Sequence, residues 1–592
     1  MGLLQKAVET YDAMAHRAGK IDKTEQEPLA PISHILTRAQ IEITLDQDGR
    51  FITARTVGKD EEGAKIIIPV TEASAGRAGT TVQAHPLCDE LGYVSPYNSK
   101  KYARYVETLT DWANSEFSHP KLKAILAYIR NGTILFDLSA KGVIQLKSDG
   151  APSDEKLRVR WVVNGLGEEA SGSCWTDKAL MDAFVRYQSA KQADASPALC
   201  MISGTMEPPA GQHPKGIISL NGNAKLISAN DSRGFTYRGR FSSEEQAATV
   251  SYTASQKAHN ALRWLAANEG VPFGGRTFLC WNPEGNLVPK VNSSMGGGNN
   301  RRAATPTQYR EQLREALSGW KERLPAKAGV VIAAFDAATT GRLALTYYNE
   351  LLASDFLQRL HDWEATCCWE NGPYGIQSPS LYQIIVWTFG TLQNGKMKPD
   401  DRILSGQMQR LIACRVNGSL FPLDIGRALA EKASNLLIYE GENRHKLLFT
   451  ACAAIRKYRF DHFKEEWDMA LDQNSTNRSY LFGRLLAVAE MVESRAYGKD
   501  EGRETNALRL QKAFALRPLS GWRMLEEKLE PYYKRLDPGL RQYYRGLEQE
   551  IVGKLSAADG DLNKKLDDVY LLGYYHQRAY RKEKPAEQAA EE

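Results

Sequence analysis

Apolar residues in the first 380 positions recur with two different periods. Ile41, Ile43 and Leu45 alternate with polar neighbours, Asp48-Gly49 follows, and Phe51-Ile52-Thr53 takes the pattern up again. Alternation of this kind predicts strands with one buried face, and Asp-Gly tolerates the positive φ angles of a tight hairpin turn. Further strands are predicted at Ile66-Ile67-Ile68, at Leu157, Val159, Trp161 and Val163 between Arg158 and Arg160, and at Phe278-Leu279-Cys280-Trp281. The segment from Val330 to Tyr348 reads as strand, turn, strand, with Thr340-Gly341-Arg342 at the bend. Helical spacing intervenes over residues 102–130, where Tyr105, Leu109 and Trp112 are followed by Leu122, Ile125, Leu126 and Ile129.

Near Ser380 the strand signals fade. Leu481, Leu485 and Val488 share one helical face, as do Leu540, Tyr544, Leu547, Ile551 and Leu555, and then Leu562, Leu566, Val569 and Leu572. Helices joined by short polar connections pack as antiparallel bundles. The expected fold class is therefore α+β. A mixed N-terminal α/β region with several short antiparallel strands (1–380) precedes an all-α C-terminal helical bundle (381–592). The residues from Arg581 onward are charged and Ala-rich and are expected to fray.

Composition narrows the class. A chain of 592 residues with 42% apolar and 25% charged residues is ordinary for a globular protein of several domains. No apolar run reaches the roughly 18 residues of a spanning helix, and the first ten residues lack a secretory h-region. Eight cysteines without a Cys-x-x-Cys pair predict neither a disulfide framework nor a zinc ribbon, and a reduced cytoplasm is the expected compartment. The net charge of +5 says little at this length. Its distribution says more: Lys215, Lys225, Arg233, Arg238 and Arg240 face only Glu207 and Asp231 over residues 201–240. Such a local excess suits a phosphate backbone, or a solvated loop.

No catalytic constellation is local. The Gly58–Lys65 stretch misses the P-loop pattern because the lysine comes one place late and no Ser or Thr follows. The chain contains neither Gly-x-Ser-x-Gly nor His-Glu-x-x-His. Acidic pairs at Glu61-Glu62, Asp400-Asp401 and Asp567-Asp568 lie in polar settings. No catalytic residue, metal ligand or cofactor is assigned. The enzymatic alternative is a metal-dependent nuclease or deaminase with non-local ligands, and a third reading is a free-standing nucleic-acid-binding protein. Loop composition favours binding. Residues 73–84, 204–216 and 292–302 combine glycine and small residues with single cations, which lets backbone amides approach a groove while Arg or Lys meets a phosphate. Phe235, Tyr237 and Phe241 flank Arg233, Arg238 and Arg240, a candidate stacking platform for unpaired bases.

Four stretches resemble one family. They are Leu3-Leu4-Gln5-Lys6-Ala7-Val8-Glu9-Thr10-Tyr11, LCMISGTMEPPAGQHPKGIISLNGNAKLISAND (199–231), NRSYLFGRLLAVAE (477–490) and YLLGYYHQR (570–578). In that order they resemble the large subunit of the type I-C CRISPR surveillance complex, Cascade. The chain departs from the family's pattern at Ser228-Ala229-Asn230-Asp231-Ser232-Arg233, where Ser-Phe-Asn and an aromatic-rich stretch are expected. The resemblance implies a non-catalytic subunit near the 5′ handle of a guide RNA. It recognises a short protospacer-adjacent motif in target double-stranded DNA, aids strand opening, holds the displaced strand and recruits a separate helicase-nuclease. Its implied partners are the guide RNA, filament backbone subunits, a handle-processing subunit and small subunits. The family can make the small subunits by internal translation, here from about Met469, with Met491 the alternative start.

On that reading Arg77, Thr80, Thr81, Lys215, Asn230 and Arg233 are the candidates for motif contact. Arg301 and Arg302, after Gly296-Gly297-Gly298, are candidates for the displaced strand, as are Arg478 and Arg484 in the bundle. Tyr574, Tyr575 and His576 are expected to be packing residues, and His213 a loop histidine bonded to backbone.

Overall fold

The fold is taken from a computed structural model of the chain and is described for residues 2–61, 63–77, 81–166, 172–219, 222–228, 241, 248–295, 302–339, 341–497, 503–557 and 560–580. It is mixed α+β, with short, mainly antiparallel strands toward the N-terminal side and helices toward the C-terminus. Two compact units emerge: Met1–Asn286 with Gly329–Glu350, and Leu287–Ala328 with Leu351–Glu592.

In the first unit the expected hairpin forms around Gly49. Ile41–Leu45 pairs antiparallel with Phe51–Thr56, and parallel with Val159–Val163 on its other edge. Gly49 has φ +80°, and a Cβ there would strike the Ala124 carbonyl, so the turn needs glycine twice over. Ile41, Ile43 and Leu45 point into a core shared with Trp161 and with two helices, Ser99–Ala113 and Pro120–Asn131. The helix residues that recur at four and three, Tyr105, Leu109 and Trp112, are all buried there. Ile66, Ile67 and Ile68 lie in a strand, Lys65–Pro69, paired with His34–Arg38.

A second core in this unit is built on a four-stranded sheet. Its order is Arg342–Leu352, Gly329–Thr339, Arg276–Trp281, Val271–Phe273. Leu279, Trp281, Val331, Ala333 and Phe335 pack against Leu3, Ala7 and Tyr11 of the first helix and Ala261, Leu262 and Leu265 of the helix Tyr252–Asn268. This sheet explains why the units do not divide at residue 380. Val331 to Asp336 pair in register with Trp281 to Arg276, which draws the later hairpin back to the first unit.

The second unit is helical apart from short strand pairs such as Trp369–Glu370 with Ile376–Gln377 and Thr391–Gln393 with Lys396–Lys398. Residues before 380 belong to it. Glu364, in the helix Ala353–Thr366, pairs with Arg415 of Asp401–Asn417 at 2.7 Å and accepts the Met295 amide at 2.6 Å, all within the interior. At the centre stands Arg478–Tyr497, whose residues from Ser479 to Glu490 are buried on every side. A helix apolar on one face only would lie at the surface; one buried all round is a core helix. It packs most closely on Tyr570–Ala579. A Cβ on Gly483 would strike the Tyr570 carbonyl, and one on Gly573 the Tyr480 carbonyl. The two signature stretches NRSYLFGRLLAVAE and YLLGYYHQR therefore meet through reciprocal glycines that let their backbones touch.

Candidate nucleic-acid interface

The loop that the sequence singled out at 73–84 starts from a short helix, Glu72–Ala75. Thr71 caps it: its Oγ1 accepts from the Ser74 amide at 3.1 Å while Ser74 Oγ accepts from the Thr71 amide at 3.0 Å. The chain then doubles back, and Arg77 closes the return. Its Nη1 and Nη2 donate to the Asp89 carboxylate at 2.8 and 2.6 Å, Nη1 also reaches the Gln83 carbonyl at 2.9 Å, and the guanidinium lies 4.4 Å from the Tyr93 ring centroid. Asp89 is fully buried and also accepts the amides of His85 and Glu90, each at 2.8 Å. Burial pushes the Asp89 carboxyl up, but His85 and Arg77 outweigh it and hold it below its ordinary value.

Arg77 was expected to meet DNA. Its side chain retains 14% exposure and is spent on Asp89, so it shapes the loop from behind. Thr81 is exposed, while Thr80 lies outside the described residues.

The second loop lies against the first. Glu72 Oε1 accepts the Gln212 amide at 3.5 Å, and a Cβ on Gly76 would strike the Gln212 side chain. Lys215 bridges Lys225 antiparallel, and Lys225 bridges Arg342 parallel, so three cations occupy neighbouring backbone segments at the edge of the four-stranded sheet. The Lys225 amide donates to the Gly341 carbonyl at 3.1 Å and its carbonyl accepts from Leu343 at 3.0 Å, which fixes the loop to that edge. Burial, then the nearby Lys215, lower the Lys225 ammonium, with Glu72 the acid acting against them. His213 was expected to bond to backbone, but its partner is a side chain: Nδ1 lies 2.9 Å from Ser255 Oγ and the ring stacks 6.0 Å from that of His259. Burial, then Lys225, push His213 down to about 4.

Between these parts runs a groove of about 660 Å³, lined among others by Arg38, Lys65, Ala75, Lys215, Gly216 and Arg263. Glu27 is the one carboxylate in the described lining, and Lys65 holds it at 2.6 Å. A cleft bordered by one sign of charge focuses the field and concentrates anions. The geometry thus joins two loops that composition had marked separately. It adds Arg263 and Arg38 to the lining and Arg342 beside Lys225, isolated basic residues with no local spacing to flag them as one cluster.

Asn230, Arg233 and Arg301 lie outside the described residues. Arg302 is exposed and borders a different cleft of about 1210 Å³ within the helical unit. Of the cations beside it, Arg444 is held by Glu504 at 2.6 Å and Arg578 by Glu490 at 3.1 Å. Arg478 donates to the carbonyls of Leu562, Lys564 and Lys565 at 3.3, 2.7 and 3.0 Å, tying down the chain that leads into the last helix. Arg484 corrects the expectation of a surface cation. It is 0% exposed, and its Nε donates to Gln577 at 2.8 Å and its Nη2 to Glu550 at 3.4 Å. It sits in the central helix, so a basic side chain there turns inward to a partner rather than outward to a strand.

Among the described residues no three His, Cys, Asp or Glu side chains are grouped to hold a metal ion, and no helix is long and apolar enough to cross a membrane. All eight cysteines are free and buried. No curated protein matches the chain. The family described as CRISPR-associated protein (Cas_Csd1) matches it from residue 8 to residue 581, nearly its whole length. With the four stretches that resemble a type I-C large subunit all within or overlapping that span, the chain belongs to the CRISPR-associated Csd1 family and is a subunit of a Cascade complex.

Proposed function

We propose that this chain is the non-catalytic large subunit that inspects duplex DNA for the protospacer-adjacent motif, using the groove between the 71–89 and 204–228 loops. One observation carries the reading: Lys215 and Arg263 line a groove whose described lining offers only Glu27, already engaged by Lys65, and Lys225 sits on the backbone segment bridged to Lys215. Cations without protein countercharge suit phosphates. The exposed Thr81 nearby suits contact with a base edge or sugar. On this reading guide-RNA pairing supplies most of the sequence specificity, and the protein needs only a few contacts. The same subunit then aids strand opening, holds the displaced strand with Arg302 among the contacts, and offers a surface to a separate helicase-nuclease. Its other partners are the guide RNA, the filament backbone, a handle-processing subunit and small subunits.

The test is binding of the reconstituted complex to duplexes with randomised motifs over a salt series. Lys215→Ala and Lys225→Ala should each weaken binding on every sequence and flatten the log–log salt slope by about one. Thr81→Ala and Asn230→Ala should change which motifs are preferred. Wild-type slopes in both lysine variants would remove the groove from the account. Cleavage of DNA by the isolated chain with Mg²⁺ or Mn²⁺, abolished by a single carboxylate change, would favour the enzymatic alternative instead.

A further inference from the structure

We propose that Arg263 is the floor of this groove: it holds the Lys215–Gly216 corner by two backbone carbonyls, and its charge is neutralised by a phosphodiester of the bound duplex. The inference rests on the groove being the DNA site and goes beyond it by naming the residue that both shapes the loop and receives the phosphate.

The geometry is specific. From the helix Tyr252–Asn268, Arg263 Nη2 donates to the Lys215 carbonyl at 2.6 Å and Nε to the Gly216 carbonyl at 3.1 Å. Nη1 donates to Asn260 Oδ1 at 3.2 Å, and Asn260 Nδ2 in turn reaches the carbonyls of Ala30 and Pro31 at 3.2 and 2.9 Å. A continuous chain of hydrogen bonds thus runs from the Ala30–Pro31 backbone to the corner. Gly216 has φ +75°, and a Cβ there would lie 2.9 Å from the Gly222 carbonyl, so the corner itself demands glycine. With its backbone fixed on both sides, Lys215 projects from a determined position.

Charge completes the argument. All three of these hydrogen bonds end on neutral oxygens. A guanidinium has five N–H donors, so two remain, on a residue that lines the groove. The carboxylate that acts on Arg263 is Glu27, which Lys65 already holds at 2.6 Å, and burial lowers the Arg263 guanidinium below its ordinary value. A partly desolvated cation to which no carboxylate is hydrogen-bonded among the described residues is poorly compensated, and a phosphate with two oxygens toward the remaining N–H groups would satisfy it. Lysine at this place would carry the charge but lacks the planar fork that spans two carbonyls.

The experiment measures duplex binding by the assembled complex across a salt series, with melting curves and guide-RNA content confirming assembly of each variant. Arg263→Gln is expected to weaken binding about tenfold or more and to flatten the salt slope by at least about one. The double variant with Lys215→Ala should bind within about threefold of Arg263→Gln alone, since the lysine has already lost its placement. Arg263→Lys should keep the slope yet bind more weakly. A wild-type slope for Arg263→Gln, or strictly additive losses in the double variant, overturns the inference. If Arg263→Gln does not assemble, Arg263→Lys decides, and wild-type affinity there overturns it. Lys215→Ala weakening binding while Arg263→Gln does not would sink this inference alone. Wild-type binding by both Lys215→Ala and Lys225→Ala would sink the groove reading beneath it.

Discussion

Arg77 and Asp89 form a two-point ion pair, 2.8 and 2.6 Å, across the base of the loop that separates them. The carboxylate has no exposed surface and also anchors the His85 and Glu90 amides, so this one acid sets the return path of the loop. Removing the arginine leaves a buried charge with part of its compensation gone, a change that typically costs about 3–5 kcal/mol. Arg77→Ala is therefore expected to destabilise the chain by about 3 kcal/mol, read from chemical or thermal melts. Because Arg77 faces Asp89, its loss should weaken DNA binding without changing the salt slope. A slope reduced by about one would mean that Arg77 meets a phosphate after all.

The reciprocal glycines of the helical unit make a second prediction. Gly483 approaches the Tyr570 carbonyl and Gly573 the Tyr480 carbonyl, in both cases backbone that cannot rotate away. Gly483→Ala and Gly573→Ala should each destabilise the protein by about 1–3 kcal/mol through overpacking, despite the higher helix propensity of alanine. Melting temperatures at or above the wild-type value would show that the helices move apart without penalty.

Acid should unfold the protein earlier than its carboxylates alone would require. Burial drives seven histidines down from their ordinary value, His34 and His213 to about 4 and His85, His259 and His576 to about 3, with His119 and His445 also lowered. Each is neutral in the folded chain at a pH where the unfolded chain protonates it. Their contribution is thus complete above about 6.5 and is lost as the pH falls toward those depressed values. Melting temperature should decline steadily from pH 6.5 to about 4, and His576→Gln should flatten the decline. A melting temperature unchanged across that window would contradict the burial of these rings in neutral form.

A fragment that begins at Met469 retains the central helix Arg478–Tyr497 and its neighbours Pro518–Arg535, Pro538–Ser556 and Tyr570–Ala579. We expect it to give a helical spectrum and a cooperative melt, as a separately translated small subunit would need. A fragment from Met491 loses most of the central helix, with Tyr480, Leu481, Phe482 and Leu485 removed from the core, and should not fold. Equal folding of the two fragments, or of neither, would remove the structural case for a start near Met469. Mass spectrometry of the purified complex tests whether such a product is made.

Much of the architecture was legible because periodicity is a local property. The hairpin around Gly49, the helix face Tyr105, Leu109 and Trp112, and the strands at Ile66–Ile68 and Val330–Ile332 follow from spacing alone. The same rule misjudged Arg484. A single apolar stripe and a helix buried all round look alike when only part of the face is apolar, and the partner Gln577 lies far along the chain. The compact units divide elsewhere than at the boundary expected near 380, for a related reason. Strand pairing between Val331–Asp336 and Arg276–Trp281 is a long-range choice that reassigns a whole hairpin.

The residues by themselves determined the class of fold, the family, and two small-residue loops with lone cations. Only the folded chain decided that those loops meet, that Arg77 is consumed by Asp89, and that Lys215 and Arg263 line a groove whose one carboxylate among the described residues, Glu27, is held by Lys65. Backbone preference acts between near neighbours and is written in order along the sequence. Compensation of charge acts through space, and which cation remains available depends on every carboxylate that folding brings near it.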